Sequence, residues 1–240
     1  ASCRAHCPSM SESGTHRENA CTHPGCSCRC RTDVRTVPNA ITLLRLVGSI
    51  IVSLIAVQEH SLWLFVAAMI VHWVGDIADG YSARLLDQET RFGAVFDILS
   101  DRMCAIPVAI GVAWLYPTLM LPIVLWLVGF GCVDTVLSLC FLGWPLRGVG
   151  GFAWVHRGLY RMNFSPPAKA LNSSVFFIAL AVFPSPWPAS VIAAGTLIGK
   201  SISAVVAIRA LLRRPAARRI RCLSELPADI HAFDIPAEAA

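Results

Sequence analysis

The sequence is poor in charged residues. Only 15% of its 240 residues are Asp, Glu, Lys or Arg, whereas soluble domains average about a quarter. The few charges are also unevenly distributed, because they are scarce between about Asn39 and Leu212 and dense on either side. Hydrophobic residues make up 55% of the chain. This shortage of charge excludes an ordinary soluble domain and favours one membrane domain with a polar tail at each end.

The apolar stretches between the charges are about 20 residues long, which is enough to cross a hydrocarbon core of roughly 30 Å. They predict an all-α integral membrane protein with six transmembrane helices, at residues 39–57, 61–83, 94–115, 118–142, 168–184 and 187–212. The membrane domain therefore covers residues 38–212. It lies between a polar, Cys-rich tail at 1–37 and a basic, then acidic, tail at 213–240.

The first tail has no apolar core of its own, so it does not resemble a cleavable signal peptide. Met10 is an alternative start of the protein. Six of the ten cysteines lie in this tail, and two interpretations of them remain open. The tail is either a disordered extension with reduced thiols or a zinc site. The candidate zinc ligands are Cys21, His23, Cys26, Cys28 and Cys30. Their spacing matches no familiar zinc motif, which favours the disordered extension.

The short breaks between the spans contain neither Lys nor Arg; they are residues 58–60, 116–118 and 184–186. Basic residues instead accumulate in both tails and in the two longer links, around 84–93 and 143–167. Because cytoplasmic segments carry the excess of Lys and Arg, the pattern predicts that both termini are cytoplasmic. The expected location is the cell (inner or plasma) membrane. This distribution explains the net charge of +5 without a nucleic acid partner.

Four aspartates occur where apolar spans should exclude them. Asp76 and Asp79 are three residues apart near the end of the second span, and Asp97 and Asp101 are four apart near the start of the third. Each pair therefore shares one face of a helix. Inward-facing carboxylates repel one another and persist only where cations neutralise them. Since no pair of histidines or cysteines lies nearby, the oxygen ligands favour two Mg²⁺ or Mn²⁺ ions that clamp a diphosphate.

These aspartates belong to a longer pattern. Residues 76–101 resemble the signature of the CDP-alcohol phosphotransferase family, D-x2-D-G-x2-A-R-x8-G-x3-D-x3-D. The fixed positions are filled by Asp76, Asp79, Gly80, Ala83, Arg84, Gly93, Asp97 and Asp101. Residues 38–42, P-N-A-I-T, are similar to the family's P-N-x-x-T segment. The resemblance covers about residues 38–212.

The resemblance implies an enzyme that moves a phosphatidyl group from CDP-diacylglycerol to an alcohol and releases CMP. It implies two divalent ions held by Asp76, Asp79, Asp97 and Asp101. Asp101 would also be the general base that takes the proton from the acceptor hydroxyl. Contacts with the CDP-lipid are implied for Asn39, Thr42, Gly80, Arg84 and Thr90. Members of the family are commonly homodimers, and we expect the same here.

The acceptor alcohol is less clearly indicated. Residues 38–42 resemble the branch that makes phosphatidylglycerol phosphate and cardiolipin, whose acceptors are glycerol 3-phosphate and phosphatidylglycerol. Two segments depart from that branch. Residues 96–102 read F-D-I-L-S-D-R in place of L-D-P-x-A-D-K around the last two aspartates, and Val133-Asp134 replaces an Arg-Glu or Arg-Asp pair. A phosphatidylinositol-phosphate-type synthase is the alternative within the family.

Basic residues suggest where an acceptor would bind. Lys169 lies in a segment that resembles the family's G-K-x-x-T element. With Arg157 and Arg161 it could bind a phosphorylated acceptor, although the positive-inside rule explains the two arginines equally well. Asp134 and Lys200 both lie well inside their spans, where an ion pair is the simplest interpretation and a contact with the acceptor or a headgroup is the alternative.

Other classes of protein also place carboxylates inside a membrane. A divalent-cation carrier would do so, but it should spread its acids along a pore and would not need the glycines and arginine of the signature. Prenyl-transferring enzymes use D-D-x-x-D clusters, which this chain lacks. An inactive partner subunit would not need all four aspartates. Simple surface pairing with Arg84, Arg91 and Arg102 explains one aspartate more readily than four.

Overall fold

Long apolar helices make up most of the structure, a computed structural model that describes residues 26–27, 33–182 and 185–212. In these ranges the regular elements are helices, apart from one isolated bridge between Cys26 and Leu146. The α-helices are α1 (Val37–Gln58), α2 (Leu62–Leu85), α3 (Arg91–Leu115), α4 (Met120–Leu127), α5 (Asp134–Leu139), α6 (Phe152–Val155), α7 (Arg157–Leu159), α8 (Pro166–Val182) and α9 (Pro186–Leu212).

Five segments of the described chain are long and apolar enough to cross a membrane: α1, α2, α3, the stretch Pro117–Gly143 and α9. They coincide with five of the predicted spans and give an all-helical multi-pass membrane protein. The span predicted at 168–184 corresponds to α8. Its 17 residues extend about 26 Å, less than a hydrocarbon core of roughly 30 Å. A sixth crossing and the side on which the termini lie therefore remain predictions.

The surface of these helices suits lipid. Large apolar side chains point away from the protein, for example Leu44, Trp63 and Ile77, which are 70–80% exposed. In water such a surface would be unfavourable, but in a bilayer it faces hydrocarbon. Small residues fill the inner contacts instead, as where Ala56 and Ala68 pack against Phe65 between α1 and α2.

The first three helices are fixed by local sequence signals. Thr36 caps α1 and Thr90 caps α3, each by accepting a hydrogen bond from the backbone amide three residues on. Glycines then allow close packing. A Cβ on Gly75 would lie 2.4 Å from the Cβ of Arg45, and one on Gly111 would lie 2.1 Å from the ring of Phe65. The absence of these side chains lets α2 approach both α1 and α3.

The fourth span is not one continuous α-helix. A π-helical turn, Val128–Val133, separates α4 from α5, and a 3₁₀ turn ends the span at Cys140–Gly143. A second π-helical turn, Tyr160–Phe164, follows α7. The extra residue in such a turn changes the direction of the side chains that follow it.

The link at 143–167 is packed rather than loose. Trp144, Leu146, Phe152 and Phe164 are buried together against the ends of the long helices. Cys26 is fully buried in the same cluster, and the amide of Ser27 donates to the carbonyl of residue 145 at 2.9 Å. The other candidate zinc ligands of the first tail lie outside the described residues.

Candidate active site

A single arginine lies at the centre of the four aspartates. Arg45, on α1, is almost fully buried, with 2% of its side chain exposed. Its guanidinium lies 3.2 Å from Asp76 Oδ1, 3.2 Å from Asp79 Oδ2, 2.5 Å from Asp97 Oδ1 and 3.0 Å from Asp101 Oδ1. One positive charge cannot balance four carboxylates, so the cluster keeps a strong attraction for further cations. We call these five residues the acidic cluster.

Three of the four predicted metal ligands converge. One carboxylate oxygen each from Asp76, Asp97 and Asp101 can be chosen so that all lie within 4.8 Å of one another. Asp79 is not one of this group of three: its Oδ2 faces Arg45 and accepts a hydrogen bond from the Thr42 hydroxyl at 2.6 Å. Hard oxygen ligands from several carboxylates are what Mg²⁺ and Mn²⁺ prefer.

One buried atom indicates that the cluster fits a metal ion. Asp101 Oδ1 is buried and accepts no hydrogen bond from the described residues; its neighbour at 3.0 Å is a guanidinium nitrogen of Arg45. This ion pair with Arg45 leaves room for a further ligand, because a carboxylate oxygen can accept more than one interaction. A metal ion coordinated by this oxygen would add to that pairing.

The residues predicted to contact the CDP-lipid lie around the same helices. Asn39 and Thr90 are both buried. Their side-chain oxygens approach Gly93 so closely that a Cβ there would lie 2.8 and 2.9 Å away. Gly80 lies next to Arg84: a Cβ built on this glycine would lie 3.7 Å from the Arg84 guanidinium. Thr90 thus has an observed role as the cap of α3, and its contact with a nucleotide stays a prediction, as do those of the other four residues.

A cavity of about 280 Å³ opens beside the acidic cluster. Asp76, Asp97 and Asp101 line it, and so do Lys169 and Lys200. Of the three basic residues predicted to bind the acceptor, Lys169 thus lies on the cavity. The lining does not include Arg157 or Arg161, and their part in binding remains a prediction.

Arg45 is the residue of the acidic cluster that the sequence analysis missed. The available signal was position: Arg45 is a charged residue inside an apolar span, three residues after Thr42 and therefore on the same helical face. The predicted ion pair between Asp134 and Lys200 is confirmed, since Lys200 Nζ contacts Asp134 Oδ1. His72, close to Asp76, contacts Arg45 through Nδ1 at 3.3 Å.

Comparison with known proteins agrees with this geometry. The family model of CDP-alcohol phosphatidyltransferases matches residues 35–199, which is most of the chain. The chain belongs to the CDP-alcohol phosphatidyltransferase family. Members of this family act in phospholipid biosynthesis and use divalent metals, which the cluster of Asp76, Asp97 and Asp101 could hold.

Named relatives within the family use different acceptors. The chain is 34% identical over 96 residues to a CDP-diacylglycerol–glycerol-3-phosphate 3-phosphatidyltransferase of Cereibacter sphaeroides, covering 38% of this chain and 43% of that protein. It is 37% identical over 84 residues to a CDP-diacylglycerol–inositol 3-phosphatidyltransferase of Candida albicans, covering 34% of each chain. A Mycobacterium tuberculosis protein, provisionally named a cardiolipin synthase, is 35% identical over 86 residues, covering 35% and 41%.

These similarities cover less than half the length of each of these relatives. No solved structure gives a significant match to the chain. The comparisons therefore establish the phosphatidyltransferase family, and the relatives' names give two acceptors, glycerol 3-phosphate and inositol, and one product, cardiolipin.

Proposed function

We propose that this chain transfers a phosphatidyl group from CDP-diacylglycerol to a hydroxyl acceptor and releases CMP. The main support for this proposal is that three carboxylates, from α2 and α3, lie close together on the wall of one cavity between membrane-spanning helices. Carboxylates in such a place suit the binding of a metal-clamped diphosphate. The acceptors that fit best are glycerol 3-phosphate and phosphatidylglycerol, with a phosphorylated inositol as the alternative.

The chemistry assigned to the chain's residues is limited and specific. Divalent ions held by Asp76, Asp79, Asp97 and Asp101 would neutralise the diphosphate and the charge that develops on the leaving CMP. Asp101 accepts the proton of the acceptor hydroxyl. The hydroxyl oxygen forms a bond to the lipid-side phosphorus while the bond from that phosphorus to the CMP oxygen breaks. Arg84, which is exposed at the end of α2, is placed to bind a phosphate of the nucleotide.

The proposed active site faces the cytoplasm. Arg84 and Arg91 flank the ends of α2 and α3 at which the carboxylates lie, and Arg147 lies in the packed link beside them, where it pairs with Glu89. Basic residues accumulate on the cytoplasmic side of membrane proteins. A cytoplasmic site would also give access to soluble nucleotides and acceptors.

A divalent-cation carrier fits the structure less well. A carrier needs acids spaced along a path across the membrane, whereas these carboxylates are gathered around one arginine. Arg45 would also be a barrier to a cation moving through the cluster.

The proposal is tested by supplying purified protein with CDP-diacylglycerol and Mg²⁺. Glycerol 3-phosphate, phosphatidylglycerol, inositol phosphate and serine are added separately, and CMP release is followed. We expect release with one acceptor and loss of release when EDTA is added. Binding of CDP-diacylglycerol without release for any acceptor would contradict the proposal, and uptake of Mn²⁺ into vesicles containing the protein would favour the carrier.

A further inference from the structure

A second ionic group lines the same cavity. Asp134, at the start of α5, accepts hydrogen bonds on its two oxygens, one from Arg102 on α3 and one from Lys200 on α9. The three side chains are mostly buried, with 10–15% of each exposed. We call Arg102, Asp134 and Lys200 the ion chain. It connects three helices and stands directly beside the acidic cluster, since Arg102 NH1 lies 3.5 Å from Asp101 Oδ2.

The ion chain is held in a fixed geometry. The Nε of Arg102 donates to the hydroxyl of Thr135 at 3.2 Å, and its guanidinium lies over the ring of Phe130, 4.4 Å from the ring centre. Asp134 follows directly after the π-helical turn Val128–Val133. Such turns are frequent at functional sites because they redirect the next side chains. Here the redirected side chain, Asp134, lines the cavity.

The second π-helical turn, Tyr160–Phe164, also contributes a side chain to this cavity. It contains Asn163, which lines the cavity and donates to the hydroxyl of Ser203 on α9 at 3.1 Å. Asn172 and Thr196 add further polar groups to the lining. Two departures from α-helical geometry, in separate parts of the chain, therefore direct polar side chains to one space. Amides and hydroxyls of this kind bind the hydroxyl groups of a polyol.

Basic side chains lie on this wall. Within the ion chain two cations share one carboxylate, and Arg102 also faces Asp101 of the acidic cluster. The sequence contains only two lysines, Lys169 and Lys200, and both line the cavity. Buried ion pairs of this kind contribute little to the stability of the fold, because the cost of removing the charges from water offsets their mutual attraction. Lysines on a cavity wall instead suit an anionic ligand.

We propose that Asp134 and Lys200 determine acceptor specificity, by selecting a small polyol that carries a phosphate monoester. The inference rests on the proposed function. Lys200 has three donor hydrogens and gives one to Asp134, so the others remain for the phosphate. Asp134 is a positioning residue that keeps Lys200 at the cavity wall. Of the two acceptors proposed above, this selection favours glycerol 3-phosphate over phosphatidylglycerol, which is a phosphodiester, and it disfavours unphosphorylated polyols.

The experiment compares Lys200→Met with Arg209→Met in full-length protein. Both changes remove one cation from α9, but Arg209 is exposed and lies outside the cavity lining. We expect Lys200→Met to raise the KM for glycerol 3-phosphate or inositol phosphate by about tenfold or more, the effect of losing a hydrogen bond to a charged group. The KM for CDP-diacylglycerol should change less than about twofold, and Lys200→Arg should restore part of the acceptor affinity.

Asp134→Asn provides the second test. If Asp134 acts by positioning Lys200, the two residues act as a unit, and Asp134→Asn/Lys200→Met should be no worse than Lys200→Met alone. Additive losses would contradict that role.

A binding measurement keeps the test independent of turnover. Glycerol 3-phosphate should raise the Tm of the wild type and of Lys200→Arg, whereas glycerol should not. The inference would be overturned by an unchanged acceptor KM in Lys200→Met, or by a preference for phosphatidylglycerol or for glycerol as the acceptor. The proposed function would still stand in these cases, because CMP is released. No CMP release from the wild type would overturn both.

Discussion

Two ionic groups line one cavity, and they differ in how their charges balance. The acidic cluster sets four carboxylates against one guanidinium, so it is strongly negative. The ion chain sets one carboxylate between two cations, so it is positive. Both lie within membrane-spanning segments, where a net charge is expensive unless a ligand compensates for it. The difference agrees with the two proposed ligands, cations at the acidic cluster and an anionic acceptor at the ion chain.

The two groups also differ in what holds them in place. The acidic cluster is built by neighbouring helices α1, α2 and α3, whose carboxylates are fixed by short-range helical spacing. The ion chain joins α3, α5 and α9, which are far apart in sequence, and depends on a π-helical turn. The first arrangement is typical of a site that must keep a rigid ligand geometry. We expect the second to vary more between relatives with different acceptors.

The largest expected effect is the loss of catalysis in Asp101→Asn. If Asp101 is the general base, CMP release should fall by about a hundredfold or more, while CDP-diacylglycerol still binds. The matching change in the ion chain, Asp134→Asn, should act mainly on the acceptor KM. Initial rates at saturating acceptor distinguish the two variants.

Asp87→Asn is the control for loss of a carboxylate near the site. Asp87 is exposed in the link between α2 and α3, and its φ of 47° is one that asparagine also adopts readily. This variant should keep wild-type activity. Equal losses of kcat in Asp101→Asn and Asp134→Asn would remove the distinction between the two groups.

A smaller but still large effect is expected for Arg45→Met. Removing the central cation takes its charge from all four carboxylates, although Asp101 keeps its contact with Arg102. Breaking a fully buried ion pair costs about 3–5 kcal/mol, and the partial exposure of Asp76 and Asp97 makes the cost here smaller. The Tm without metal should therefore fall. Because Arg45 pairs with carboxylates that a metal ion would also need, Mg²⁺ or Mn²⁺ should raise the Tm of the variant more than that of the wild type.

Lys200→Met and Arg35→Met separate this effect from a general loss of charge. Arg35 is an exposed residue before α1, and its removal should leave both the Tm and the metal response unchanged. Lys200→Met should leave the metal response unchanged, because Lys200 contacts no residue of the acidic cluster among the described ion pairs. An identical metal-induced shift in Arg45→Met and the wild type would show that Arg45 does not compete with metal.

The sequence predicted the parts of this molecule that depend on local spacing. Run length gave the positions of five helices that could cross a membrane, and the spacing of Asp97 and Asp101 placed them on one face of α3. That they meet Asp76 was implied by the family resemblance. Both follow from helix geometry, in which residues three or four apart share a face. The pairing of Asp134 with Lys200 was predicted from the cost of an isolated charge in a membrane.

What the sequence did not predict depends on packing between distant segments. Arg45 reaches the carboxylates because Gly75 lets α1 and α2 approach. The sequence of α1 alone does not predict which residues of α2 and α3 Arg45 contacts. The π-helical turns interrupt stretches that look like ordinary apolar helix or link. The cavity that brings Lys169 beside the carboxylates exists only once α8 and α9 are placed.

The smallest expected effect compares one glycine in each region. In Gly75→Ala the new Cβ would lie 2.4 Å from the Cβ of Arg45 and 2.8 Å from its Cδ. Because the Cβ of Arg45 cannot move without its helix, α1 and α2 must separate. Overpacking of this kind costs about 1–3 kcal/mol. We expect a lower Tm in detergent, together with weaker stabilisation by Mg²⁺.

Gly199→Ala is the matched control, since Gly199 precedes Lys200 on α9 and a Cβ there meets nothing within 4 Å. Alanine also favours the helix by up to about 1 kcal/mol, so this variant should be as stable as the wild type or more so, with an unchanged response to Mg²⁺. A loss of metal response in Gly75→Ala alone would show that the contact between α1 and α2 sets the geometry of the acidic cluster. Equal behaviour of the two variants would mean that the cluster tolerates a shift of α1, and that Arg45 is held by charge rather than by the close approach of the helices.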